Sequence, residues 1–148
     1  MSDPLYRKEL LRLAADAHGA GRLAAPDVTG VAANPACGDK VTVDVTLAKG
    51  KIEDIAHETR ACVLAQASAS ILGRSLSGRS RHDLRTLRDT VTAMLEADGP
   101  PPSAPFSDFA IFRGALGFQG RHRCVLLPID AVLDALDGHP ASSGSGES

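Results

Sequence analysis

Hydrophobic and polar positions change rhythm near the middle of the chain. Val41, Val43 and Val45 alternate with Thr42, Asp44 and Thr46, the period-two pattern of a half-buried strand over 40–47. Ala48-Lys49-Gly50-Lys51 predicts a hairpin loop leading into a strand over 52–59. An extended run over 28–33 precedes the turn-like Asn34-Pro35, so the front half reads as a small antiparallel sheet. Ahead of it, Leu5, Leu10, Leu11, Leu13 and Ala14 fall at helical spacing. Asp3 can cap that helix, Pro4 suits its first position, and Gly19 to Gly21 end it.

From Cys62 onward the period becomes helical. Val63, Leu64, Ala67, Ile71 and Leu72 predict a helix over 62–72 that stops at Gly73. Leu84, Leu87, Val91, Met94 and Leu95 predict another over 83–97, which the Gly99-Pro100-Pro101-Pro102-Ser103 breaker closes. A short helix over 106–116 and a final one over 125–136 complete the pattern. Pro128 brings no amide to a helix, so the last helix is expected to begin after Cys124 or to bend beside it. Strands first and helices after imply an α+β domain: a small three-stranded antiparallel sheet packed on one side by about four to five helices. That single domain covers 1–137. Residues 138–148, from the low-complexity stretch HPASSGSGES, are expected to be a disordered tail.

Composition narrows the function classes. A chain of 148 residues holds one domain with a real core. Aromatic residues make up only 3%, so the core is expected to be built from Ala, Val, Leu and Ile, and the composition argues against a stacking platform for single-stranded nucleic acid. Sixteen basic against eighteen acidic residues, a net charge of −2, give no field to attract phosphate backbones. No stretch approaches a membrane span, and the mixed charges of the first eight residues do not make a secretory signal. Three cysteines without such a signal argue for thiols or metal ligands in a reducing cytoplasm.

Those cysteines carry the candidate chemistry. Cys37 lies in Asn34-Pro35-Ala36-Cys37-Gly38-Asp39, a loop between two predicted strands in which thiol and carboxylate flank a glycine and can converge. Cys62 stands at a predicted helix start, where unpaired amides and the macrodipole favour an anion, and Cys124 precedes the last predicted helix. Three thiolates plus Asp39 make four ligands, the number tetrahedral Zn²⁺ takes. Arg60, Arg121 and Arg123 are candidate counter-charges for the resulting negative site. Taken one at a time, each cysteine reads first as a small core residue, because cysteine is among the most buried types.

The hexapeptide just quoted, with Ala61-Cys62-Val63-Leu64-Ala65-Gln66-Ala67-Ser68-Ala69-Ser70 and Arg121-His122-Arg123-Cys124, resembles the IscU/NifU-like family of iron–sulfur assembly proteins over roughly 5–137. Within it the chain is most similar to the SufU branch. The stretch between Cys62 and Cys124 is longer than the cluster-scaffold branch carries, with the excess between Gly78 and Pro105. Arg123 stands where that branch has a His, and a guanidinium cannot ligate a metal. His122, one position away, points elsewhere.

The resemblance implies Zn²⁺ held by Cys37, Asp39, Cys62 and Cys124, with Cys37 as the sulfur acceptor that leaves the metal to react. It implies a cytoplasmic zinc-dependent sulfurtransferase whose partner is a SufS-type, pyridoxal-phosphate cysteine desulfurase, with an iron–sulfur scaffold complex downstream and no nucleic-acid or membrane partner. The alternative is a scaffold that assembles a [2Fe–2S] cluster on the same residues, and a structural zinc staple is a third reading. Elsewhere, His57 reads as a hydrogen-bonded strand histidine. Ser68 and Ser70 are expected to bond back to their own helix. Arg74, Arg79, Arg81, Arg85 and Arg88 read as a solvated face, as do Asp130, Asp134 and Asp137.

Overall fold

A computed structural model describes residues 4–36, 38–115 and 119–137. The chain begins with helix α1 (Pro4–Asp16) and then forms strands β1 (Val28–Asn34), β2 (Asp39–Ala48) and β3 (Lys51–Arg60). Helices α2 (Val63–Ser75) and α3 (Arg81–Ala97), a 3-10 helix (Ser107–Ala115) and helix α4 (Gln119–Leu136) follow. This is the α+β arrangement the sequence predicts, and the proposed tail over 138–148 lies outside the described residues.

The sheet is antiparallel in the order β1-β2-β3. Val41, Val43 and Val45 are fully buried on one face, as their alternation requires, and α4 lies across β1 and β2 while α2 packs on β3. On the opposite face Asp44 is also buried, at 1% exposure. Its carboxylate accepts hydrogen bonds from Arg22 Nε at 2.6 Å, from Leu23 N at 3.1 Å and from Thr29 Oγ1 at 2.8 Å. The Arg22 bond, helped by Thr29 and Leu23, holds this carboxyl below the usual carboxylate range despite its burial.

Both sheet edges are occupied by the protein's own polar groups. Gly21 N donates to His57 O at 2.8 Å and His57 N to Gly19 O at 2.9 Å, while Ile52 N reaches Arg79 O at 2.9 Å. On β1, Val31 N donates to Asp134 Oδ2 of α4 at 2.9 Å. An edge covered in this way offers few groups to a foreign strand.

Two close approaches set the helices. A Cβ on Gly30 would lie 2.3 Å from Ala131 O and Ala135 N, so only glycine lets α4 rest directly on β1. A Cβ on Gly73 would lie 2.0 Å from His18 O. Gly73 therefore does not stop α2, as its place in the sequence suggested, but lies inside the helix and admits the chain beyond α1. Leu84, Leu87, Val91, Met94 and Leu95 form the inner face of α3 as predicted, and Ser80 and Asp83 close a reciprocal capping box at its start.

The scarce aromatics are concentrated rather than absent from the core. Phe109 and Phe112 are fully buried with ring centroids 5.7 Å apart, and Phe106 is nearly so. The arginines of α3 are not a purely solvated face either. Arg81 and Arg85 both pair with Asp137, and Arg88 Nε lies 2.5 Å from Asp130 Oδ1, tying α3 to α4. Arg74 pairs with Asp108.

Candidate metal centre

Asp39 and Cys62 sit at junctions between elements. Asn34 and Asp39 are register partners at the end of the β1–β2 hairpin. The buried Asn34 shapes the intervening loop, its carbonyl accepting from Gly38 N at 2.9 Å and its Oδ1 from Ala36 N at 3.3 Å. Cys37 belongs to this loop and is itself outside the described residues. Cys62 is the N-cap of α2, extended at φ −67° and ψ 172°, immediately after β3. Gln66 braces that junction, donating from its Nε2 to Ala61 O at 3.0 Å and from its main-chain N to Cys62 O at 3.0 Å.

Cys124 departs from expectation. It lies within α4, which begins at Gln119 and carries Pro128 in its interior, rather than ahead of the helix. The proline does not end α4 because neighbouring elements grip this helix from both sides: β1 through Gly30, and α2 through the buried Ser68, whose Oγ donates to Val125 O at 2.8 Å. The local sequence predicts a Ser68 hydroxyl bonded back into its own helix, and nothing near it in the chain says that the bond crosses to another.

Among the described residues, Asp39, Cys62 and Cys124 bring their ligand atoms within 4.8 Å of one another. Cys62 is exposed and Cys124 is 8% exposed, so the cluster has a buried floor and an open side. Cys124 Sγ and Asp39 Oδ2 are 3.7 Å apart. Metal–sulfur and metal–oxygen bonds of about 2.3 and 2.1 Å at a tetrahedral angle imply a ligand separation of about 3.6 Å, so this pair suits one ion. Two thiols and a carboxylate, beside the positive end of α2, are a fitting donor set for Zn²⁺.

His122 is buried at 6% exposure and lines a cleft of 860 Å³ together with Ala33, Arg88, Glu96, Arg123 and Asp130; it is not part of the ligand cluster. Arg123 and Arg60 are exposed, and the Arg121 side chain lies outside the described residues. His57 is a buried, hydrogen-bonded strand histidine. Its Nε2 donates to His18 O at 2.8 Å, which leaves Nδ1 to accept from Thr59 Oγ1 at 2.9 Å. Burial pushes its pKa down.

A hairpin end, a strand–helix junction and a helix turn thus define a small α+β domain that gathers sulfur and carboxylate donors at one point. The sequence matches the family described as the NifU-like N terminal domain over residues 5–125, and the chain belongs to this IscU/NifU-like family. It is 28% identical over 103 residues to the iron–sulfur cluster assembly scaffold protein IscU of Streptococcus pyogenes, covering 70% of this chain and 65% of that protein, just under two thirds of its length. It is 24% identical over 99 residues to the zinc-dependent sulfurtransferase SufU of Bacillus subtilis, covering 67% of each. The crystal structure of a nitrogen-fixing NifU-like protein (N-terminal) from Brucella abortus superposes with a TM-score of 0.84 at 36% identity, covering 89% of this chain and 92% of that one. Among the described residues, no helix is long and apolar enough to cross a membrane.

Proposed function

We propose that this protein is a zinc-dependent sulfur acceptor that takes persulfide sulfur from a SufS-type, pyridoxal-phosphate cysteine desulfurase for iron–sulfur cluster assembly in the cytoplasm. The observation that carries this reading is the proximity of Asp39, Cys62 and Cys124, all within 4.8 Å. Three ligands on a two-iron cluster must be divided between the irons, which spreads at least one pair across it; a single ion keeps all three together. The similarity to the Bacillus sulfurtransferase and the presence of Arg123 support the same reading.

Asp39, Cys62 and Cys124 would hold the zinc with Cys37 as fourth ligand. Bound Zn²⁺ would keep these thiols deprotonated at neutral pH. Cys37 is the acceptor: its thiolate attacks the outer sulfur of the partner's persulfide, a new S–S bond forms on Cys37, and the partner's cysteine leaves as thiolate. In the sequence Cys37 falls between Asn34 and Asp39, which close the β1–β2 hairpin end, while Cys62 caps α2 and Cys124 lies within α4.

The scaffold reading draws on the 28% identity to the Streptococcus protein. Aerobic purification separates the two. The sulfur-acceptor reading expects a colourless protein with about one zinc per chain, which stimulates desulfurase turnover and loses that stimulation in Cys37→Ala. A brown protein that leaves turnover unchanged would overturn it in favour of the scaffold.

A further inference from the structure

Ser68 is fully buried on α2, and its hydroxyl bonds the main-chain carbonyl of Val125 at 2.8 Å. A helical serine ordinarily returns its hydroxyl to the preceding turn of its own helix; this one crosses to α4. Both ends of the bond adjoin the candidate site. Ser68 stands less than two turns along the helix that Cys62 caps, and Val125 directly follows Cys124. The same stretch of α4 contains Pro128, which supplies no N–H and crowds the carbonyl of the turn before it. Here α4 relies least on its own hydrogen-bond ladder and most on its neighbours.

We propose that Ser68 is a positioning residue for the metal centre, fixing α4 against α2 and so setting the separation of the Cys62 and Cys124 thiols. It touches no ligand atom itself and acts on Cys124 through the Val125 main chain. This inference rests on the metal-site reading above. Groups bonded directly to a ligand change metal affinity by about 10–100-fold when removed, and a residue acting one main-chain step away is expected at or below the lower end of that range.

Ser70 supplies the control. It is equally buried on the same helix, but its Oγ accepts from His18 N at 3.1 Å, away from α4. The test is competition titration with Zn²⁺, and with Co²⁺ whose visible absorption reports ligand geometry, on the full chain as wild type, Ser68→Ala and Ser70→Ala, each with a thermal melt. The expected result is a zinc affinity lowered by up to about 10-fold, the lower end for groups bonded to a ligand, and an altered Co²⁺ spectrum in Ser68→Ala, with Ser70→Ala within about twofold of wild type whatever its Tm. Should Ser68→Ala be too unstable to titrate, both serine variants and the wild type are compared in a stabilising osmolyte such as sucrose, which favours the folded state without touching the sequence.

Equal affinity in wild type and Ser68→Ala, or equal losses in both serine variants, overturns the positioning role while leaving the metal site standing. A wild-type protein that binds neither ion overturns the metal-site reading and this inference with it.

Discussion

Cys124 Sγ lies 3.7 Å from Asp39 Oδ2, although 85 residues separate them in the chain. The pair joins the end of a hairpin to a helix turn, and Cys62 completes the cluster from a third element. Asp39 is the member with least redundancy, since it is the one oxygen donor and its position depends on the hairpin register. Asp39→Ala is expected to lower zinc affinity by about 100-fold or more, beyond the loss from an outer contact. Competition with a chromophoric chelator reads this directly, and an unchanged affinity would remove Asp39 from the ligand set.

The two described cysteines differ in access. Cys62 is exposed and Cys124 is buried, so with chelator present iodoacetamide is expected to modify Cys62 at least about tenfold faster, because the attacking thiolate must be reachable. Zinc is expected to slow both reactions. Peptide mapping after timed quenching gives the two rates, and zinc that leaves both unchanged contradicts joint coordination.

Gly30 tests the seating of α4. An added Cβ would meet two backbone atoms at 2.3 Å, and backbone cannot rotate away as a side chain can. Gly30→Ala is expected to cost about 1–3 kcal/mol in urea unfolding, the range of overpacked cores. A cost under about 0.5 kcal/mol, typical of a surface change, would mean that α4 is not held there.

Two buried groups give the fold an acid limit. The pKa of His57 is depressed in the folded protein by burial, against the opposing bond to the His18 carbonyl. Between its unfolded value of 6.5 and its lower folded value, the unfolded chain binds more protons, so stability falls as pH drops below about 6.5. Asp44 adds a second loss. Arg22 lowers its pKa below 3.8, so its contribution, present above that value, disappears as pH falls through the folded pKa. Urea midpoints against pH are expected to decline from pH 6.5 in wild type and to decline less over the same range in His57→Gln; parallel curves would exclude His57 as the source.

The sheet and the inner faces of α2 and α3 were legible in the sequence because alternation and helical spacing record which side of a local element is buried. Val41, Val43 and Val45, or Leu84 through Leu95, carry that information within a few residues. What could not be read was decided across elements. Gly73 has the composition of a helix stop, and only the approach of His18 makes it an interior position. Pro128 argues locally for a late start to α4, yet contacts from β1 and α2 sustain the helix through it. Asp130 and Asp137 look like solvated charge until α3 supplies their arginines. In the candidate site, the residue types and their placement at a loop and a helix start were visible, whereas the turn of α4 that presents Cys124 depends on tertiary packing.

The core described above closes largely without the ligands: Phe109, Phe112, Ile71 and Val41 are enclosed by other side chains, and among the described residues only Cys124 belongs to both core and cluster. A zinc finger, by contrast, has too little interior to fold until the metal arrives. On the proposed reading the ion would therefore not be a keystone, and its removal is expected to leave the architecture standing. A chelator that leaves the far-UV circular dichroism unchanged would show one shape offered to a sulfur donor and to a recipient, whether the site is full or empty.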